Sequence, residues 1–434
     1  MDVLGIVVLI VFAATYLIIA TEKVNRTGMS LFGLAIIGLI FWLSSLGEPD
    51  HQLSFEKLVG GIPWTTILFV TSMMIVVAVA GSSGMFQYIA LRLAQLGGGD
   101  YKSLFRTFLL FVWILSLILP KTTIMIIMVP LTIQVCRVLD INFKPFLMSE
   151  ALVCNIGSIP SVVGGVPNII ITGETNLNAG LLFFSLMPLS ALLLVVTWFV
   201  VLYYFEDEFG DTDKASIELV KRLKPATMIK SKHDFYASIL AFAVLITGFV
   251  LGSTAGVQPA MIALLVAAAL LVMAHERASE FLSEIGWSTV FFLIGVFGLV
   301  EALDAVGFVQ ELGISLQAAV GNNPFLAILV MVWFPSSLSA VLNNLPVSAV
   351  LAPVARDLVV LTPVIPLALI LAVNVGGNLF TPLGSPANMV VLDYSERERN
   401  PVTLVDFAKI GTIVGLIQLA IGSLWLLVLS MVLI

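Results

Sequence analysis

The sequence predicts an all-α polytopic membrane protein made of two inverted-topology repeats, with re-entrant helical hairpins and broken transmembrane helices. Three observations carry this expectation. Hydrophobic residues fill 59% of the 434 positions, charged residues only 11%, and the mean hydropathy is +1.10. Long apolar runs recur along the chain. Glycine-, proline- and asparagine-rich interruptions fall inside those runs in matched pairs. A soluble domain carries roughly 25% charged residues, so this chain cannot cover itself with a hydrated surface. The runs are apolar all round rather than alternating, which argues against a β-barrel.

Val3–Ala20 reads as a first membrane span rather than a cleaved signal. Asp2 is its only preceding charge, whereas a signal peptide needs a basic start and a small-residue cleavage site. Leu31–Ser45 and Ile62–Ala80 follow as further spans. The turn with Lys23 and Arg26 is placed inside by the positive-inside rule, and the acidic loop with Glu48, Asp50 and Glu56 outside, so the N-terminus lies outside. Between Arg106 and Arg137 only Lys121 is charged, in a stretch too long for one span. A hairpin of two half-helices solves this, with its tip at Leu119-Pro120-Lys121-Thr122-Thr123. A second interruption runs from Asn155 to Asn168, and the first half closes with Leu181–Phe205.

The segment Glu206–Asp234 is the one clearly polar stretch. Its Lys214, Lys221, Arg222, Lys224, Lys230 and Lys232 place it in the cytoplasm. It divides the chain into a first repeat (1–205), a linker (206–235) and a second repeat (236–434). The second repeat offers the runs Tyr236–Leu251, Met261–Ala274, Val290–Leu303 and Ile410–Ile434. Its own interruptions are the tip Leu342-Asn343-Asn344-Leu345-Pro346 and the stretch Asn374–Asn388. At one constant offset Trp64 matches Trp287, Gly84 matches Gly307, Gln87 matches Gln310, Ser116 matches Ser339 and Pro130 matches Pro353. Ile62–Ala80 enters from outside and Val290–Leu303 from inside, the arrangement of an inverted repeat and of alternating access.

Non-helical backbone at membrane depth is tolerated only where protein buries it or a cavity solvates it. Half-helix N-termini at such a place suit an anion, and C-terminal carbonyls a cation. The Walker phosphate-loop pattern is absent. Cys136 and Cys154 read as buried small hydrophobes. His51, His233 and His275 fall in loops or at span ends, so no metal site is expected. No cofactor, enzyme constellation or nucleic-acid surface is indicated.

Three motifs carry a family resemblance. Ser339–Pro353 has an Asn-Asn-hydrophobic-Pro tip. Gly376-Gly377-Asn378 through Thr381-Pro382-Leu383-Gly384-Ser385 and the run Asn155–Asn168 complete the set. Together they resemble the ion transporter superfamily, particularly its branch of arsenite pumps, the P protein and sodium/proton antiporters. The divalent anion/sodium symporters are more distant. The resemblance implies a scaffold part, a mobile transport part carrying the hairpins, a homodimer and elevator-type movement. Two positions depart from it. The first tip reads Pro120-Lys121-Thr122 where the family often has Asp-Asn or Ser-Asn-Thr, and Gly164-Gly165-Val166-Pro167-Asn168 stands where antiporter-like members have Gly-Asp-Pro-Pro-Asn. Acidic positions are lost and a basic one gained, which argues against sodium at the first half's site.

An intramembrane lysine costs at least about 2.5 kcal/mol on insertion scales. At about 1.5 Å per residue, Lys121 lies too far from either flanking arginine to snorkel if the segment spans straight; at a shallow tip, snorkelling accounts for it. The expected function is secondary active transport of a small anion or a metalloid oxyacid of the arsenite-efflux type, coupled to protons or the membrane potential, in the inner membrane. The expected binding residues are Lys121, Thr122, Asn155, Ser158, Asn343, Asn344, Asn374, Asn378, Thr381 and Ser385. Lys121 and Glu150 are the candidates for carrying a coupling proton, with Glu150 also a possible counter-charge to Lys121. Glu174, Glu301 and Asp304 read as interfacial carboxylates. A sodium/proton antiporter would need acids at the core, and a sodium-coupled dicarboxylate importer two Ser-Asn-Thr tips. A channel or scaffold would not need inverted broken helices.

Overall fold

The structure, a computed structural model, describes residues 3–20, 24–45, 54–96, 101–139, 141–208, 225–255, 257–274, 277–342, 344–396, 398 and 401–433. Among these there is no β-strand. The first ten helices are α1 (Val3–Ala20), α2 (Arg26–Ser45), α3 (Phe55–Gly60), α4 (Trp64–Ser82), α5 (Met85–Leu96), α6 (Tyr101–Ser116), α7 (Lys121–Val138), α8 (Lys144–Gly157), α9 (Val166–Thr175) and α10 (Ala179–Tyr204). After the linker come α11 (Lys232–Ala255), α12 (Pro259–Ala274), α13 (Ala278–Ser283), α14 (Trp287–Ala305), α15 (Phe308–Val320), α16 (Pro324–Leu342), α17 (Asn344–Leu358), α18 (Ile365–Gly376), α19 (Pro386–Ser395) and α20 (Leu404–Leu433).

Six described helices, α2, α4, α10, α14, α16 and α20, contain stretches long and apolar enough to cross a membrane. Val3–Ile19, Pro259–Ala274 and Ile365–Gly376 are shorter apolar helices. Several of the others end at the interruptions that the sequence marks. α6 stops at Ser116 and α7 restarts at Lys121 behind Pro120, whose fixed φ and missing N–H suit a helix start. α16 stops at Leu342 and α17 starts at Asn344, with Asn343 outside the described residues. α8 and α9 are separated by 158–165, and α18 and α19 by 377–385.

Five successive helices begin at positions 223 residues apart in the two runs: α3 and α13, α4 and α14, α5 and α15, α6 and α16, α7 and α17. Packing partners exchange in the same way. α2 lies on α14 and α12 on α4; α7 lies on α19 and α17 on α9; α8 lies on α19 and α18 on α9. Trp64 Nε1 donates to Val59 O at 3.1 Å, and Trp287 Nε1 to Leu282 O at 3.0 Å, each pinning a long helix to the short one before it. Gly84 and Gly307, at φ +82° and +78°, turn the chain from α4 into α5 and from α14 into α15. Other side chains pay a steric penalty in that left-handed region. The matched Gln87 and Gln310 share no role, one half-buried and the other exposed.

Two apolar cores result. One joins α1–α4 with α9–α18 and the later part of α20, and the other gathers α5–α8 with α19 and the start of α20. Of the linker, only its ends are described, together with the last turn of α10 and the start of α11. Lys214, Lys221, Arg222 and Lys224 lie outside the described residues, as do Lys23, Glu48, Asp50, His51 and His275. Residues 225–230 dock over the α4–α5 corner, where Lys230 N donates to Ser83 O at 2.9 Å. At the start of α11, Asp234 accepts from Arg277, which also donates to Glu280 at 2.9 Å. That hydrogen bond holds the exposed Glu280 carboxyl below the usual carboxylate range.

Candidate functional site

The four interruptions are bonded to one another. Within each run a hydroxyl ties broken helix to hairpin: Ser161 Oγ donates to Leu117 O at 2.6 Å, and Thr381 Oγ1 to Ala340 O at 2.7 Å. Glycine permits the approach. A Cβ on Gly164 would run into Ser116 O, and one on Gly384 would stand 2.6 Å from Ser339 O. Ser116 and Ser339 thus mark where hairpin backbone touches the break.

Across the runs the contacts are made by amides. Lys121 Nζ donates to Asn374 Oδ1 at 2.6 Å, and Ser158 Oγ reaches the same oxygen at 3.1 Å. Asn374 Nδ2 donates to Asn168 Oδ1 and to Ile370 O, both at 2.7 Å. Asn168 in turn holds the broken backbone, donating to Ser158 O at 2.7 Å and Ser161 O at 2.8 Å. Asn155 Nδ2 donates to Asn378 Oδ1 at 2.7 Å and to Asn388 Oδ1 at 3.2 Å, while Ser385 Oγ donates to Asn155 Oδ1 at 2.9 Å. Asn388 Nδ2 donates to Gly377 O at 2.7 Å. Asn155, Ser158, Asn168, Asn374, Asn378, Ser385 and Asn388 are wholly buried, and Lys121 nearly so. Carbonyls freed by the breaks are therefore satisfied by side chains instead of water.

The expected residues divide as follows. Lys121, Asn155, Ser158, Asn374, Asn378 and Ser385 share this network. Thr381 supports it from the hairpin side. Thr122 is half-buried beside Lys121 and stands outside it. Asn344, the first residue of α17, is buried with its Oδ1 unpartnered. Asn343 lies outside the described residues. Glu150 sits deeper, accepting from Thr132 Oγ1 at 2.8 Å and making no ion pair with Lys121. Glu174 pairs with Arg356 at 2.5 Å.

Sequence reasoning left out Asn168 and Asn388, although both close the quoted motifs. It also left out Gln418, which accepts from Asn378 Nδ2 at 3.1 Å and donates to Thr197 Oγ1 at 2.8 Å. A lone glutamine in the apolar α20 was the available signal, since polar side chains within such helices seek partners.

The electrostatics separate two kinds of helix end. Asn374 lies in the last turn of α18 and Ser158 just past the end of α8, where carbonyl dipoles favour a cation. The Lys121 ammonium reaches that spot. α7, α9, α17 and α19 all begin at the interruptions, and helix starts favour anions. An ammonium has three donors, and Asn374 takes one.

Comparison with known proteins agrees with this architecture. The citrate transporter family, CitMHS, matches residues 16–374. A 46 kDa membrane protein of Mycobacterium leprae is 28% identical over 432 residues, covering 98% of each chain. An uncharacterized transporter of Mycobacterium tuberculosis is 28% identical over 429 residues, again covering 98% of each. The P protein of Mus musculus is 25% identical over 500 residues, covering 96% of this chain and 59% of that protein. The P protein branch is the one the motifs resembled. With a family match over most of its length and a fold of apolar, interrupted helices, the chain is a multi-pass inner-membrane transporter that belongs to the citrate transporter (CitMHS) family.

Proposed function

We propose that this transporter is a secondary carrier of a small, oxygen-rich anion or metalloid oxyacid, coupled to protons or the membrane potential. The observation that carries the reading is the Lys121 ammonium bonded to Asn374 at the carbonyl ends of α8 and α18. A tethered cation there takes the place that a sodium ion would need, and its remaining donors can meet the oxygens of an anion. The family's description puts a carboxylate such as citrate first among the anions. Arsenite, implied by the motif resemblance, is the second arm of the test.

Exchange of packing partners between the two runs supports an inverted repeat, and with it alternating access. The hydroxyl ties from Ser161 and Thr381 support an elevator in which each hairpin and its neighbouring broken helix travel as one body. A homodimer is expected on the same reading.

The test is uptake into proteoliposomes of citrate, smaller dicarboxylates and arsenite, with imposed proton, sodium or voltage gradients. Saturable uptake of one of these, driven by protons or voltage and indifferent to sodium, is the expected result. Lys121→Asn is expected to lower that uptake by about tenfold or more, the scale of one charge-assisted hydrogen bond. Wild-type uptake that requires sodium, or a Lys121→Asn variant with unchanged rate and ion dependence, would refute the reading.

A further inference from the structure

Glu150 is the one wholly buried carboxyl side chain among the described residues. It lies in α8, five residues before Asn155, on the side that meets α7. Thr132 of α7, also wholly buried, gives its hydroxyl to Oε1. Oε2 is buried and has no hydrogen-bond partner among the described residues. Within one turn of Thr132 and Glu150 along their helices, Met128 and Val129 of α7 and Leu147 of α8 are each closed to solvent. An ionised carboxylate with one bare oxygen in such a place is far costlier than a neutral acid, because a buried charge demands pairing and full hydrogen bonding.

The groups that could change this balance are few. The thiols of Cys136, from α7, and Cys154, one turn along α8, face the carboxyl. Both are buried. Lysine, arginine and histidine side chains of the described residues make no ion pair with it, although α6, α10, α18, α19 and α20 also pack on α8. Lys121 is separated from it by Cys154, whose Sγ lies 3.8 Å from Lys121 O. Glu150 is thus one helical turn along α8 from Cys154, which contacts the hairpin tip, and makes no ion pair with Lys121.

We propose that Glu150 is the proton-binding site of the transport cycle, holding its proton in this closed arrangement and releasing it to water when the body that carries α7 and α8 moves to a position where water reaches the carboxyl. The assignment rests on the proton-coupled reading above and chooses Glu150 over Lys121 as the group that gains and loses the proton. Lys121 keeps its bond to Asn374, and the step at Glu150 is the making and breaking of one O–H bond, with water giving and taking the proton. An ionisable group buried inside a membrane protein marks a functional site by default, and proton relays are among the roles it serves.

The experiment uses the full chain in proteoliposomes, with two readouts. Infrared spectroscopy should show a protonated-carboxyl band in the wild type near neutral pH that is missing from Glu150→Gln. Its absence from the wild type, or its persistence in the variant, overturns the proposal. In transport, Glu150→Gln should keep solute counterflow within about twofold of wild type and lose pH-driven accumulation by about tenfold or more. Equal accumulation by variant and wild type overturns the proposal. Should Glu150→Gln fail to fold, Thr132→Val keeps the acid and removes its one donor. The band's titration midpoint should then move to higher pH, because the ionised form loses more stabilisation than the neutral acid; an unmoved midpoint counts against the site. A wild type that exchanges solute and ignores the pH gradient sinks the coupling reading beneath the proposal, while the infrared titration still reports on the acid itself.

Discussion

Lys121 and Asn374 come from opposite runs of the chain, 253 positions apart, and each depends on the other. Without the amide oxygen the ammonium is a buried charge with no partner; without the ammonium, Asn374 Oδ1 keeps only the longer bond from Ser158. Asn374→Asp tests what the positive charge does. A carboxylate at this place would form an ion pair with Lys121 and remove its net charge from the site. Anion uptake is expected to fall by about tenfold or more, on the scale of a lost charge-assisted bond. Binding of a non-ionised solute should suffer less, and side-by-side uptake of citrate and arsenite makes the comparison. At this scale the sequence was informative for one physical reason: a charge or an amide in apolar text is expensive and has to be accounted for. That reason found Lys121, Asn155 and Asn374. It did not find the partners, because pairing is a matter of three dimensions. Glu150 as a counter-charge to Lys121 was plausible from proximity in sequence, and the side chains instead turn to Asn374 and Thr132.

Among the elements, the matched corners before α5 and α15 are alike in backbone and unlike in surroundings. Both turn on a left-handed glycine. A Cβ at Gly307 would meet nothing within 4 Å, whereas one at Gly84 would collide with the carbonyl of Met228 in the docked end of the linker. Gly307→Ala should therefore cost only the conformational term, about 1–2 kcal/mol. Gly84→Ala should cost that and also displace residues 225–230. Thermal unfolding in detergent gives the first comparison, and proteolysis of the linker the second; equal effects in both measurements would show that the linker does not brace this corner. The helix breaks were legible because proline and glycine act locally, through a missing N–H and a missing Cβ. The offset that paired Trp64 with Trp287 and Gly84 with Gly307 also picked out positions alike in their local bonds and backbone. It misled for Gln87 and Gln310, whose environments differ, since a shared residue type carries no information about which neighbours fill the space beside it.

For the molecule as a whole, neither run can complete its own packing. α2 rests on α14, α12 on α4, and each broken helix leans on the hairpin of the other run. Cutting the chain within the 206–235 linker should give two fragments that copurify when coexpressed and are unstable when made apart, as read by pull-down through a tag on one of them. A stable, monodisperse first fragment on its own would contradict this. Composition and run length made the membrane class plain, because lipid imposes one strong rule on every residue at once. The mutual dependence of the runs was not visible, because both packing surfaces are simply apolar. The two chain positions that open α7 and α17 show where the runs stop being interchangeable. Lys121 occupies one and Asn344 the other. If two identical copies of the first run were to face each other, a pair of ammonium groups would enter the same dry interior and repel. With both runs in one chain, the position that opens α7 carries the charge and the one that opens α17 stays neutral.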